Sequence, residues 1–135
     1  MSLALKHLTV LVVDADADDC EHLRSILEKS GASVMVAHSV EGALQLHRQS
    51  PPHVVVAEIH LGTSDGCALI KAIRQYNLEY GGFTPAIALT GFASSGDKER
   101  AMMAGFNAYL PKSIGLACVV SAITSVLRDS TDLAA

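Results

Sequence analysis

The apolar residues of this chain follow two periods that alternate from one end to the other. Residues 8–13 and 54–57 are unbroken runs dominated by β-branched side chains. Such a run would strand one of its faces if that face met water, so each predicts a short strand buried on both sides, as in a parallel sheet. Residues 32–37, where Val34 and Val36 alternate with Ser33 and Met35, predict another strand, residues 85–89 a fourth and residues 106–110 a brief fifth. Between them the spacing turns helical. Cys20, Leu23, Ile26 and Leu27 share one face, as do Val40, Ala43, Leu44 and His47, then Ala68, Leu69, Ala72 and Ile73 as far as Tyr76-Asn77. Leu116, Val119, Val120, Ile123, Val126 and Leu127 form a long final stripe.

Punctuation agrees with this reading. Gly31 closes the first helix, Ser39 caps the second, and Pro51-Pro52 stops it. Gly62 to Gly66 and Gly81-Gly82 mark loops, and a helix capped by Ser94 or Ser95 runs to about Ala104 and ends at Gly105. Asp18 and Asp19 stand where a helix N-terminus needs acceptors, so capping is their favoured role. His47 reads as a helix-edge residue. The small, polar residues 128–135 read as a frayed end or the start of a linker.

Strands alternating with helices imply a doubly wound α/β fold, a parallel sheet covered on both faces by right-handed crossovers. The strand tips then carry Asp14, Glu58, Thr90 and the segment from Tyr109 to Lys112 toward the carboxyl edge of the sheet, where open α/β folds place their chemistry. Singly, each has a plainer reading: Asp14 as a helix cap, Thr90 as packing, Tyr109 as core or interface, His60 as a solvated loop histidine, Asp65-Gly66 as turn chemistry and capping.

Composition narrows the classes. The chain of 135 residues reads as a single domain, 1–135, with its core at about 8–127, large enough to bury a core without disulfides or metals. No apolar run nears the roughly 20 residues of a membrane span, and no export signal is expected at the N-terminus. Cys20, Cys67 and Cys118, odd in number and set in helical patterns, fit reduced thiols in a cytoplasm, each in a packing role. A net charge of −4 with scattered basic residues gives no footprint for nucleic acid. Met102-Met103 and Val119-Val120 supply more apolar positions than one stripe needs, which suggests a homodimer or a neighbouring domain.

Four blocks in order carry a resemblance: Leu11-Val12-Val13-Asp14; a third strand bearing Glu58 and followed seven residues later by Asp65-Gly66; Ala88-Leu89-Thr90-Gly91; and Ala104 through Tyr109-Leu110-Pro111-Lys112. The sequence resembles the receiver domain of two-component response regulators over about residues 8–127, the last block being similar to receivers of hybrid histidine kinases. The resemblance implies a flavodoxin-like (βα)5 sandwich with strand order 2-1-3-4-5. It also implies a module, not an enzyme, that takes a phosphoryl group from a phosphohistidine onto an aspartate with the help of Mg²⁺ and a lysine. By position, Asp14 is the first acid of the metal-binding pair, Glu58 the phosphoacceptor equivalent, Thr90 the switch hydroxyl, Tyr109 the switch aromatic and Lys112 the conserved lysine.

The departures bear on function. Glu58 stands where the family has aspartate, Ala15 where it has a second acid, and Ser113 where it usually has proline in a cis peptide. Mg²⁺ demands near-octahedral oxygen ligands at about 2.0–2.1 Å, so a site left with Asp14 and Glu58 is expected to hold Mg²⁺ weakly or not at all. Asp16 is the candidate substitute acid for this pocket, but it lies one residue out of register, a displacement that metal geometry tolerates poorly. Glu58 is one methylene longer than aspartate, which pushes its carboxylate into phosphoryl space and imitates a phosphate only in part. A Lys112–Glu58 pair at about 4 Å would attract by roughly 4 kcal/mol at an effective dielectric near 20, keeping Glu58 ionised. The Lys112–Ser113 bond is expected trans, since cis costs a non-proline bond about 2.5–4 kcal/mol, with the following loop rearranged.

Three functions follow. The first is a pseudo-receiver that signals by contact with a histidine kinase, a phosphotransfer protein or an output domain. The second is a working phosphoryl acceptor with a weakened Mg²⁺ site. The third is a small-molecule-binding domain of flavodoxin-like shape, ranked last because an acidic loop, not a Gly-rich one, follows the first strand.

Overall fold

The two β-branched runs lie side by side at the middle of the sheet, where neither has a face to spare for water. In the computed structural model, which describes residues 3–91, 94 and 96–134, the elements follow the chain as β1 (Thr9–Val13), α1 (Ala17–Lys29), β2 (Ser33–Ala37), α2 (Val40–Gln49) and β3 (Val54–Ala57). A two-residue hairpin follows, β4 (His60–Leu61) and β5 (Ser64–Asp65). Then come α3 (Gly66–Tyr80), β6 (Ala86–Thr90), α4 (Asp97–Ala104), β7 (Ala108–Pro111), a 3₁₀ turn (Lys112–Ile114) and α5 (Ala117–Ala134). The main sheet is wholly parallel, in the order β2-β1-β3-β6-β7. Counting only its own strands, this is the 2-1-3-4-5 order of a flavodoxin-like α/β fold.

Alternation along the strands divides the interior in two. Leu11, Val13 and Val55 face Leu69, Ile70 and Ala101 of α3 and α4. Val10, Val12 and Val56 face Leu23 and Leu27 of α1 and Val119 and Ile123 of α5. Each of these residues is almost fully buried, and a side chain of this size contributes about 1.5–3 kcal/mol when taken out of water. The sheet is therefore a rigid floor for whatever its tips carry.

Several boundaries differ from the sequence reading. No glycine or proline interrupts residues 116–134, and α5 continues through Ala134, so the backbone of 128–134 is helical. β7 begins at Ala108 because Phe106 turns into the core and the Asn107 side chain accepts the Ala86 N–H. Gly96 occupies the N-cap of α4 without a side-chain bond; the Ser94 carbonyl accepts the Asp97 N–H while the Ser94 side chain bonds the Asp97 carboxylate, and Ser95 lies outside the described residues. Cys20 and Cys67 pack as expected, burial and the nearby Asp14 pushing the Cys20 thiol up to about 11. Cys118 instead is exposed. Of the surplus apolar residues, Val119 is core, while Met103 is 88% exposed. No helix among the described residues is long and apolar enough to cross a membrane.

His47 is no helix-edge residue. It is buried, with Nε2 3.0 Å from the Thr84 hydroxyl and its ring edge-on to Tyr76. Beside it Arg74 straps the amino edge of the sheet, donating to the carbonyls of Thr84 and Gly105 and to the side-chain oxygens of Asn77 and Asn107. Burial, and after it the charges of Arg74 and Arg48, hold the His47 imidazole below the ordinary histidine range.

Two predictions follow from these contacts. A base whose folded pKa is depressed leaves the extra proton to the unfolded chain, so stability is complete above about 6.5 and declines as pH falls toward the folded value. Thermal unfolding from pH 8 to 5 should show that decline, and His47→Gln should flatten it. Second, a Cβ on Gly66 would lie 2.4 Å from the backbone oxygen of Glu58. Gly66→Ala should cost about 1–3 kcal/mol in urea unfolding, whereas Gly96→Ala, with nothing near the added atom among the described residues, should be close to neutral.

Candidate functional site

Each central strand ends in a polar side chain, and the parallel register brings those ends together. Asp14 follows β1, Glu58 follows β3, Thr90 closes β6 and Lys112 follows β7. The Lys112 ammonium lies 2.7 Å from Asp14 Oδ2, 2.7 Å from Asp19 Oδ2 and 3.6 Å from Glu58 Oε1. Burial disfavours its charge, but the bonds to Asp14 and Asp19 outweigh that and hold the ammonium above the ordinary lysine range. Lys112 thus comes near Glu58, as the sequence suggested, yet gives its hydrogen bonds to the other two acids.

Glu58 is bonded differently. Its extra methylene lets the side chain curl back over the strand end, where Oε2 accepts the N–H groups of Ile59 (2.7 Å) and His60 (3.3 Å). Oε1 reaches across to the Gly91 N–H at 3.0 Å, joining the tip of β3 to the tip of β6. Only 5% of Glu58 is exposed. Three main-chain donors and a nearby ammonium therefore surround one carboxylate.

The acids of the first loop exchange the roles read from sequence. Asp16 is the N-cap of α1, its Oδ1 accepting the N–H groups of Asp18 and Asp19 at 2.9 and 3.1 Å. It does not join the pocket, because those bonds turn its carboxylate back over the helix end. Asp19, read as a cap, is the second acid on Lys112. Asp14 Oδ1 also accepts the Asp16 N–H, which fixes the turn between strand and helix. No sequence signal separates Asp16 from Asp19, since both are acids within one turn of a helix start; what separates them is where Lys112 arrives.

Thr90 is fully buried beside Pro111 in the β6–β7 register. Tyr109 packs on the α3–α4 side of the sheet, and its hydroxyl is buried without a hydrogen-bond partner among the described residues. Burial, then the carboxylates of Asp97 and Glu58, push its pKa up. The Lys112–Ser113 bond is trans, as are all peptide bonds among the described residues, and it opens a 3₁₀ turn.

A second ion cluster, which the sequence did not suggest, ties the β4–β5 hairpin to α4. His60 Nε2 is 3.1 Å from Asp97 Oδ2, and Arg100 bonds both Asp97 and Asp65. His60 is therefore exposed, as the sequence suggested, but also paired. Asp65 keeps its expected capping role as well, accepting the Cys67 N–H at 2.8 Å. These bonds, against the cost of burying it, hold the Asp97 carboxyl below the ordinary range.

Comparison with known proteins agrees with this geometry. The family described as the response regulator receiver domain matches residues 10–124. An uncharacterized 14.6 kDa protein of Leptolyngbya boryana, from the sodA1 3′ region, is 39% identical over 82% of each chain. The polar-differentiation response regulator DivK of Brucella ovis is 30% identical over 90% of this chain and 98% of its own. Among solved structures, a two-component response regulator from Clostridium difficile superposes with a TM-score of 0.81 at 26% identity, covering 90% of this chain and 97% of the other. The chain belongs to the response regulator receiver domain family, and is a signalling module of two-component systems, not a catalytic enzyme.

Proposed function

We propose that this domain is a pseudo-receiver, held in one electrostatic state and signalling by protein contact without phosphorylation at position 58. The observation that carries this reading is the bonding of Glu58 and Lys112. Both Glu58 oxygens are engaged by main-chain donors at Ile59, His60 and Gly91. In-line transfer needs an acceptor oxygen free to approach phosphorus, and here the same N–H groups that could stabilise an incoming phosphoryl group are already taken. Glu58 acts as a built-in, incomplete substitute for a phosphorylated aspartate, bridging β3 to the start of the loop after β6.

The residues at this edge do not suit Mg²⁺. Asp14 and Asp19 converge on the Lys112 ammonium, Ala15 offers no oxygen, and no group of three acidic, histidine or cysteine side chains among the described residues is set to hold a metal. An internal ammonium thus occupies the place between Asp14 and Asp19 that a divalent cation would otherwise take. In this reading the partner is a histidine kinase, a phosphotransfer protein or an output domain in the cytoplasm, recognising the surface that Glu58 and the His60–Asp97–Arg100 cluster hold in place.

Treating the purified domain with acetyl phosphate and Mg²⁺ and weighing the intact protein tests the proposal. The wild type should stay unmodified, while the double variant Glu58→Asp, Ala15→Asp should gain one phosphate. A Mg²⁺-dependent phosphate on the wild type would overturn the reading in favour of a working acceptor with a weakened metal site. The role of Lys112 has its own test. Lys112→Met leaves Asp14, Asp19 and Glu58 facing one another and should lower stability by about 1–3 kcal/mol, a range discounted for the partial exposure of the cluster. Adding Asp19→Asn to that variant should recover part of the loss in urea unfolding.

A further inference from the structure

Beneath the ion cluster lies a cavity of about 200 Å³ that the bonding described above does not fill. It lies between α1 and Leu116, the residue before α5. Its apolar walls are Val12, Leu23, Val56, Leu89 and Leu116, and its polar rim is made by Asp14, Asp19, Glu58 and Lys112. Val12, Leu23, Val56 and Leu89, and Val13 which also lines the hollow, are nearly fully buried, so it reaches to the sheet itself.

We propose that this cavity is a binding site for a small amine with an apolar body, the ammonium at the rim and the hydrocarbon against the sheet. Size, polarity and charge each restrict the ligand. A dry cavity of about 150 Å³ holds a benzene-sized molecule, so this one has room for a phenyl ring with a short side chain. The floor offers no hydrogen-bond partner, which excludes a ligand that is polar throughout. The rim sets three carboxylates against a single ammonium. Glu58 is further compensated by its main-chain donors, and Asp14 by the Asp16 N–H and Lys112. Asp19 pairs only with Lys112 among the described residues, and its side chain is 43% exposed. A second cation is thus favoured beside Asp19, and an anion is repelled. The ligand's ammonium would share Asp19 with Lys112 while its carbon skeleton covers the Lys112 stem and Leu116.

This site does not rest on the pseudo-receiver reading. The titration below uses neither phosphodonor nor Mg²⁺, so its failure leaves that reading intact, and a phosphorylatable wild type would leave the site intact.

Three probes of matched size separate the contributions: 2-phenylethylamine, 2-phenylethanol and phenylacetate, each titrated into the low millimolar range against the ¹⁵N-labelled domain. The amine should shift the amide signals of residues 12–14, 19–23 and 112–116 in a saturable way and raise the unfolding temperature. Its affinity should exceed that of the alcohol by about tenfold, the scale of a charge-assisted hydrogen bond, and phenylacetate should not bind. Asp19→Asn should remove most of the preference for the amine. Leu116→Phe, a change at the partly exposed end of the cavity, should block all three probes while the domain stays folded. Equal binding of amine and alcohol, shifts elsewhere on the surface, or an amine affinity unchanged in both variants would each overturn the proposal.

Discussion

A single ammonium lets three carboxylates share the carboxyl edge of this sheet. Lys112 reaches that edge from the end of β7, the last strand of the sheet, and its hydrogen bonds join the tip of β1 to the first turn of α1. Without a cation there, Asp14, Asp19 and Glu58 would repel one another at the end of an apolar sheet, where water cannot screen them well. The depth of the two cores makes this constraint matter. Strands buried on both faces do not shift to relieve strain at their ends, so charge at the tips must be balanced by the groups that already meet there, Lys112 and the main-chain donors to Glu58.

The one extra methylene of Glu58 acts within that constraint. The added length places one oxygen on Ile59 and His60 and the other on Gly91. Glu58 thus ties the end of β3 to the chain leaving β6 by its own atoms. The His60–Asp97–Arg100–Asp65 cluster extends the connection from the hairpin after β3 to the first turn of α4. The segments around position 58 are thus tied to a helix on the outer surface by a continuous set of polar contacts. Arg74 and His47 secure the opposite edge of the sheet, so both ends of the parallel strands are closed by side chains from neighbouring elements.

Much of this was legible in the residues. The β-branched runs gave the central strands, the alternation with helical stripes gave a parallel sheet, and parallelism alone carried Asp14, Glu58, Thr90 and Lys112 to one edge. Errors arose where several like residues competed for one role or where a helix face had to be assigned. Asp16 and Asp19 could not be told apart by spacing, and His47 could not be recognised as core until α3 and the loop before β6 closed over it. The continuation of α5 past Leu127 was hidden because polar composition resembles a linker although nothing in it breaks a helix.

What the sequence determined by itself was the parallel sheet and most of the polar groups at its carboxyl edge, because burial of β-branched runs and the handedness of crossovers are local or topological constraints, while the strand order came from the family resemblance. The partners within that set were decided only by tertiary structure. Lys112 chose Asp14 and Asp19, and Glu58 chose the main chain of Ile59, His60 and Gly91, because a hydrogen bond depends on ångström-scale positions that residues up to 98 apart in the chain acquire only when the strands are in register.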